Sequence, residues 1–348
     1  MSNAPASGTL PSVPRWRGFN LCEMFVTADD PRWPDMTIGP RGRFNEDHFR
    51  WIAGWGFNFA RLPLSYRWWS TPEAPTKINE AAFAPIDQAV TWAQKHGLHL
   101  SLNLHHVPGY CINEGSRDEF MAREPFNLWR DRSALECFIE HWSFIARRYA
   151  GVSSRSLSFD LINEPSRCTR AEHEVVIRGT VHAIRTITPE RLVVIDGLRW
   201  GNDPCPELAD LGVVQSCRGY MPGELTHHRA WWAGDHTTPP TWPQTKDGVL
   251  VMDRAGLAAC FDAWVALQDL GVTVHCGELG CFHHTPHPVF LAWLEDLLTI
   301  LTERNIGWGL WNFRGSFGLL DSGRVDVSYE DWHGGKLDRK LLALLQRF

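Results

Sequence analysis

The sequence predicts an α/β protein that forms a single (β/α)8 TIM barrel with extended βα loops. Along the 348 residues, eight short apolar segments rich in β-forming residues alternate with eight helical or near-helical segments. The connections that follow strands are longer than those that follow helices, and no linker or composition break divides the chain. We therefore expect a flexible N-terminal tail over residues 1–14 and one folded domain over residues 15–348.

Each predicted strand is a run of apolar or β-branched residues that ends at a polar residue, glycine or proline. In chain order the runs are 17–21, 57–62, 98–104, 157–162, 191–195, 212–220, 272–276 and 306–311. The second run should stop before Pro63, because proline cannot pair within a central strand. The fourth run leads into Asn163-Glu164-Pro165, which places a carboxylate at the rim of a buried strand.

The predicted helices have apolar residues at helical spacing and end signals at several termini. They span 45–54, 79–96, 131–149, 170–186, 206–211, 254–270, 288–304 and 336–348. Asn45 can cap the first helix, and Gly97 and Gly271 can end the second and the sixth. An open, doubly wound sheet is the alternative fold, but it would need a glycine-rich turn after the first strand. Residues 20–23 read Asn-Leu-Cys-Glu, so the barrel is favoured.

Composition limits the partners and the compartment. The formal net charge is −6 without a basic run, which argues against nucleic acid and anionic membranes, and no segment is long enough to span a bilayer. Nine cysteines without a CxxC motif indicate reduced thiols. Residues 1–16 do not read as a signal peptide, so we expect a cytoplasmic protein, or a secreted one if a leader once preceded residue 1. The sequence indicates no cofactor and no particular oligomeric state.

Polar side chains follow the predicted strands at the point where each strand ends. They are Glu23, Arg61, His105, Asn163, Glu164, Arg218, Tyr220, Glu278 and Trp311. In a parallel barrel the carboxyl ends of the strands meet at one face, so these side chains should converge there. For Asn163 and Glu164 the other reading is that they only shape a loop.

Two carboxylates, Glu164 after the fourth strand and Glu278 after the seventh, can face each other across the barrel mouth. Glycoside hydrolysis requires such a pair, one protonated to donate to the leaving oxygen and one ionised. Arg61 and Tyr220 are candidates to hold Glu278 ionised. Glu164 has no cationic neighbour in sequence apart from a contribution by Arg218, so it is the better candidate for the acid.

Other chemistries are less well supported. His283-His284-x-x-His287 has the residues of a metal site but lies in a proline-rich loop without a carboxylate at ligand spacing, so we expect no metal. The chain lacks a G-x-S-x-G elbow and a P-loop. A non-catalytic carbohydrate-binding barrel and a metal-dependent hydrolase stay open as alternatives.

These motifs resemble those of glycoside hydrolase family 5, the family of many cellulases and mannanases, over nearly the whole chain. The matching positions are Arg61, His105, Asn163-Glu164-Pro165, Tyr220, Gly277-Glu278-Leu279-Gly280 and Trp311. The resemblance implies a catalytic (β/α)8 barrel that hydrolyses β-glycosidic bonds with retention, without a cofactor. It implies that Glu278 is the nucleophile and Glu164 the acid/base. It further implies that Asn163 holds the sugar 2-hydroxyl, that Tyr220 contacts the nucleophile and that Trp311 lies under the −1 sugar.

One position departs from the family pattern, since Arg218 stands where a histidine is usual. A guanidinium beside Glu164 would lower the pKa of that carboxyl, or else it binds substrate. We expect a β-1,4-glucan or gluco-oligosaccharide substrate and endoglucanase-type action. The alternative is an exo-acting β-glucosidase or β-mannosidase on short oligosaccharides, with the long 221–248 segment closing one end of the cleft. Candidate sugar platforms are Trp33, Trp68, Trp69, Trp231, Trp232 and Trp242.

Overall fold

The computed structural model describes residues 13–27, 41–114, 124 and 126–348. Of the predicted tail, residues 1–12 lie outside the described residues, and so does Trp33. Searched over the described residues, the helices include none with the length and apolar composition that crossing a bilayer requires.

Eight parallel strands close into a barrel, which confirms the predicted fold class. The strands of the chain are β1 (Arg17–Asn20), β2 (Phe59–Ser65), β3 (His99–His106), β4 (Leu157–Asp160), β5 (Leu192–Asp196), β6 (Val214–Gly219), β7 (Gln244–Lys246), β8 (Val249–Met252), β9 (Val274–Leu279), β10 (Gly307–Leu310), β11 (Glu330–Trp332) and β12 (Gly335–Leu337). The barrel order is β1-β10-β9-β6-β5-β4-β3-β2. β7 with β8, and β11 with β12, form separate antiparallel hairpins in the βα connections.

Helices cover the barrel between successive strands. They are α1 (Glu46–Gly54), α2 (Ala84–Lys95), α3 (Arg132–Arg148), α4 (Arg170–Ile187), α5 (Leu198–Gly201), α6 (Gly223–Thr226), α7 (Arg254–Ala259), α8 (Asp262–Gln268), α9 (His287–Glu303) and α10 (Arg339–Leu345). The Asn45 side chain caps α1 as predicted, accepting from the backbone N–H of Asp47. The single helix predicted over 254–270 is wrong. The chain turns between α7 and α8 at Phe261, which is fully buried.

The predicted end of β2 at Pro63 is also wrong, because the strand continues to Ser65. β1 pairs with β2 only as far as Arg61, so that edge of β2 is free of strand pairing beyond it. The N–H of Ser65 points to this side, where it donates to the carbonyl of Met24. Successive backbone nitrogens of a strand point to opposite edges, so the nitrogen of Pro63, two residues before Ser65, faces the same unpaired edge. The missing N–H of proline therefore costs the barrel no ladder hydrogen bond.

The amino ends of the strands are filled by an apolar plug. Trp16 packs on Phe59 at the start of β2, with ring centroids 5.0 Å apart. Its ring also stacks on His99 at the start of β3, at 4.3 Å, and meets His275 of β9 edge-on at 5.4 Å. This end of the barrel is therefore filled largely by packed rings and aliphatic side chains.

Candidate active site

The structure brings eight of the nine predicted site residues to the carboxyl ends of the barrel strands. His105, Arg218 and Glu278 lie one residue before the ends of β3, β6 and β9, and Arg61 lies within β2, level with Asn20 at the end of β1. The other four residues follow strand ends, namely Asn163 and Glu164 after β4, Tyr220 after β6 and Trp311 after β10.

A bulge in β9 sets Arg218 beside Glu278. The β6–β9 register pairs Cys217 with Cys276 and then Arg218 with Glu278, so Gly277 is the extra residue. A Cβ atom on Gly277 would lie only 2.5 Å from the Ser216 hydroxyl, so any residue other than glycine would clash here. The bulge thus places Arg218 of β6 directly opposite Glu278 of β9.

Arg61 connects one carboxylate of the predicted pair to the barrel interior. Its Nε donates to Asp160 Oδ2 at 2.6 Å, and its Nη1 donates to Glu278 Oε1 at 2.6 Å and to Asn20 Oδ1 at 3.0 Å. Its Nη2 donates to Asn163 Oδ1 at 3.0 Å. Arg61 is buried, so these charge-assisted bonds form away from bulk water.

Arg218 contacts both carboxylates of the predicted pair. Its Nε donates to Glu164 Oε1 at 2.9 Å, and its Nη2 lies 3.2 Å from Glu278 Oε1. The same guanidinium binds Asp196 through Nη1, at 3.0 Å to Oδ1, and through Nη2 to Oδ2. Nη2 also donates to Asn163 Oδ1 at 2.7 Å. One buried cation therefore holds three carboxyl groups together.

Glu164 has a main-chain conformation that L-residues seldom adopt. Its φ is 47°, in the left-handed region, which costs about 1–3 kcal/mol for a residue other than glycine. Two side chains hold this conformation. Asp196 Oδ2 accepts from the N–H of Glu164 at 2.8 Å, and the Tyr110 hydroxyl donates to its carbonyl at 2.6 Å. The loop is thus built around the orientation of the Glu164 carboxyl.

The electrostatic environment keeps Glu164 protonated at neutral pH. Burial is the largest cause, and the charge of Glu278 adds to it, together raising the pKa of Glu164 to about 8. Arg218 acts in the opposite direction, but its charge is already matched by Asp196. Four carboxyl groups share two guanidinium groups in this network, the fourth carboxyl being Asp160, so ionising all of them would leave excess negative charge.

Glu278 has donors on both carboxylate oxygens. Oε1 contacts Arg61 and Arg218, and Oε2 accepts from the Tyr220 hydroxyl at 3.1 Å. All of these donors favour the ionised carboxylate. The two glutamates therefore have the different environments that an acid and a nucleophile require.

His105 and Trp311 form an aromatic wall of the site. Their rings stack with centroids 5.4 Å apart and an interplanar angle of 26°. His105 Nδ1 lies 3.1 Å from Asn103 Oδ1. Burial, aided by the charges of Arg61 and Arg218, lowers the pKa of His105, so its ring is neutral at neutral pH.

Glu23, which follows the end of β1, has its partner outside the predicted set of site residues. Its carboxylate pairs with His48 of α1, 3.2 Å away, and both side chains are buried. Among the described residues it forms no hydrogen bond or ion pair with another predicted site residue.

Sequence reasoning missed Asp160, Asp196, Asn20 and Tyr110. Asp196 ends β5, so the rule that selected the other strand-end residues applied to it as well. Asp160 ends β4, where its carboxylate was not distinguishable by sequence from an ordinary polar strand residue. Asn20 and Tyr110 act through a single hydrogen bond each to a site residue, to Arg61 and to Glu164, for which the sequence has no signal.

The candidate sugar platforms divide by burial. Trp69 is buried and donates to His141, and Trp242 donates to Asp296 of α9, so both have structural contacts. Trp232 packs on Phe282 in the cluster beside Tyr220. Trp68 packs against Gly42, whose Cβ would lie 2.8 Å from the ring. Among the tryptophans that the structure describes, the exposed rings are Trp231, at 40%, and Trp200, at 50%, which follows β5 and was not predicted.

In the histidine cluster at 283–287, His287 has a structural contact. His287 Nε2 lies 2.8 Å from Asp338 Oδ2, next to the N-terminus of α10. Within the part of the chain that the structure describes, no three His, Cys, Asp or Glu side chains are arranged to hold a metal ion.

Comparisons with known proteins agree on one family. A family model described as cellulase, glycosyl hydrolase family 5, matches residues 12–316. Endoglucanase C of Acetivibrio thermocellus is 25% identical over 325 residues, which cover 82% of this chain and 92% of the relative. Cellodextrinase A of Ruminococcus flavefaciens is 24% identical over 271 residues, covering 75% and 76%.

Solved structures show the same similarity. A crystal structure described as a glycoside hydrolase has a TM-score of 0.85 and 40% identity, covering 96% of this chain and 99% of its own. Endoglucanase Cel5A of Thermotoga maritima has a TM-score of 0.73 at 21% identity, covering 95% and 96%, and shares the fold.

We expect the carboxyl group of Glu164 to titrate far above the ordinary glutamate pKa of about 4.3. With glutamate ¹³C-labelled at the carboxyl, we expect one NMR resonance to titrate near pH 8. Glu164→Gln should remove it, while Glu190→Gln, at an exposed position, should leave it unchanged. If every glutamate resonance finished titrating below about pH 6, the electrostatic assignment would be wrong.

Proposed function

The chain belongs to glycosyl hydrolase family 5 and is a glycoside hydrolase, and from this premise we propose that it degrades β-1,4-glucans and gluco-oligosaccharides by endoglucanase-type cleavage. We assign the nucleophile to Glu278 and the acid/base to Glu164, with net retention at the anomeric carbon. The observation that carries the proposal is the contact of both carboxyl groups with Arg218. Retaining enzymes hold their carboxyls about 5–5.5 Å apart, and a single guanidinium between them favours that separation over the wider one of inverting enzymes.

In the first step Glu278 attacks the anomeric carbon while Glu164 donates its proton to the leaving oxygen. The bond from the anomeric carbon to that oxygen breaks, and an ester bond to Glu278 forms. Donors from Arg61, Arg218 and Tyr220 hold the nucleophile in the ionised form that attacks. Because its pKa is raised, the carboxyl group of Glu164 still carries the proton that it donates at neutral pH.

In the second step Glu164 removes a proton from water, which attacks the anomeric carbon and releases the sugar from Glu278. The negative charge of Glu278 is one cause of the raised pKa of Glu164. Ester formation removes that charge, so the pKa of Glu164 falls once the intermediate has formed. The acid of the first step thereby becomes the base of the second.

Asn163, His105 and Trp311 are assigned to the sugar in the −1 subsite. Asn163 Oδ1 accepts from both Arg61 and Arg218, so the amide NH₂ group faces away from the cations. That group is placed to donate to the sugar 2-hydroxyl. Trp311, stacked on neutral His105, offers an apolar ring face for the sugar.

The substrate assignment rests on the names of the relatives. Endoglucanase C supports internal cleavage of a glucan, whereas Cellodextrinase A supports the second candidate, action on short oligosaccharides. The 221–248 segment, which contains α6 and β7, is the structural feature that favours this exo-acting β-glucosidase or β-mannosidase. Val249 and Leu250, which follow this segment directly, are exposed and lie in β8, the second strand of the β7–β8 hairpin.

Product sizes over time distinguish the two modes of cleavage. On a soluble β-1,4-glucan we expect a rapid fall in viscosity and a spread of oligosaccharide lengths from the earliest times. Release of one small product from the start, with viscosity unchanged, would establish exo action. Mannan oligosaccharides of equal length serve as the matched substrate set.

Stereochemistry tests the mechanism directly. Proton NMR during the first turnovers should show the β-anomer of the new reducing end before mutarotation, because two successive displacements restore the configuration. First appearance of the α-anomer would contradict a nucleophilic role for Glu278.

Substitution separates the two glutamates. Glu278→Ala should abolish turnover of every substrate. Glu164→Ala should lower kcat/KM on unactivated glucosides by about 10²–10⁴-fold and spare dinitrophenyl glucosides, which leave without protonation. Equal losses on the two substrate classes would argue against Glu164 as the acid, and Glu190→Ala is the exposed control.

A further inference from the structure

Asp196 lies at the centre of the charge network but outside the glutamate pair. It is the last residue of β5 and is fully buried. Its Oδ1 accepts from Arg218 Nη1 at 3.0 Å, and its Oδ2 accepts from Arg218 Nη2 and from the backbone N–H of Glu164 at 2.8 Å. One carboxylate thus contacts both the cation and the main chain of the residue that we assign as the acid.

The contact of Arg218 with Glu164 opposes the proposed role of Glu164 as an acid. A guanidinium in contact with a carboxyl group favours its ionised form, and an ionised Glu164 has no proton to give. Arg218 is held in this contact, because it is buried and its Nε, Nη1 and Nη2 all donate hydrogen bonds to site residues. The cation is therefore held beside the acid at all times, and its effect must be balanced in place.

We propose that Asp196 is a positioning residue for Glu164, which neutralises Arg218 and fixes the left-handed backbone at the acid. Arg218 then supports the nucleophile, Glu278, without taking the proton from Glu164. The inference rests on the proposed roles of the two glutamates and adds a fixed ion pair that makes an arginine compatible with a general acid.

Other charged and titratable groups around Glu164 do not replace Asp196 in this role. Arg218 comes from β6, Glu278 from β9, Tyr220 follows β6, and Tyr110 lies in the connection after β3. The tyrosines are neutral, because burial raises the pKa of each well above its usual value. Glu278 lies 3.2 Å from the cation, at Nη2, whereas Asp196 binds two of its nitrogens.

The test is the pH dependence of kcat/KM on an unactivated glucoside, which reports the pKa of the free enzyme's acid. Because Glu164 must be protonated, activity falls as the pH rises past about 8. Asp196→Asn removes the charge that opposes Arg218, so this basic limb should move to lower pH by about one unit or more. A dinitrophenyl glucoside needs no acid, so its profile should lack the shift.

A second pair of variants keeps the test sound if Asp196→Asn does not fold. Arg218→Met removes the cation and should move the basic limb to higher pH. The double variant Asp196→Asn with Arg218→Met contains neither charge, and its limb should lie below that of Arg218→Met alone. Asp203→Asn, at a partly exposed position that pairs with Arg199 after β5, is the matched control and should leave the profile unchanged.

The outcomes separate this inference from the proposed function. If Glu164→Ala shows the expected leaving-group dependence but the limb stays in place in Asp196→Asn, or in the double variant relative to Arg218→Met, the role of Asp196 is overturned. If Glu164→Ala shows no leaving-group dependence, the assignment of the acid fails and the inference falls with it.

Discussion

The contact of Arg218 with Glu164, Glu278 and Asp196 is the interaction on which the rest of the site depends. It joins residues from β6, β9 and β5 with the loop after β4. Buried charges are costly unless they are paired and hydrogen-bonded, so the site is stable only when all of these partners are in place. The bulge at Gly277 and the left-handed backbone at Glu164 follow from this requirement, because both aim carboxyl groups at one guanidinium.

Arg61 forms the second half of the same network. It binds Asp160 and Glu278, so Glu278 lies between two cations while Glu164 contacts one that Asp196 already neutralises. Burial and the charge of Glu278 raise the pKa of Glu164, and the cations are distributed so that Glu278 contacts two guanidinium groups and Glu164 contacts one. The asymmetry comes from five strands of the barrel, which explains why a single closed sheet serves this chemistry well.

The fold was predictable because its signals are local, whereas much of the site depends on contacts between distant strands. Alternating strands and helices and the Asn45 cap can be read from neighbouring residues. Pro63 misled the prediction because the end of β1 at Asn20, which leaves that edge of β2 unpaired, is not visible in the sequence of β2. Glu23 follows β1 as a site residue would, yet its side chain pairs with His48. Asp196 satisfied the strand-end rule, but its pairing with Arg218, 22 residues away, is not visible in the sequence.

The arginine at 218 changes how the site responds to pH. A histidine at this position would change its charge near its ordinary pKa of about 6.5 and so would alter the field at Glu164 in the working range. An arginine stays charged, and Asp196, paired with it through two nitrogens, supplies the opposite charge. The guanidinium therefore contributes a charge that does not vary with pH. Burial and the charge of Glu278 raise the pKa of Glu164, and that charge disappears if the glycosyl ester forms, so the network couples the proposed acid to the proposed nucleophile.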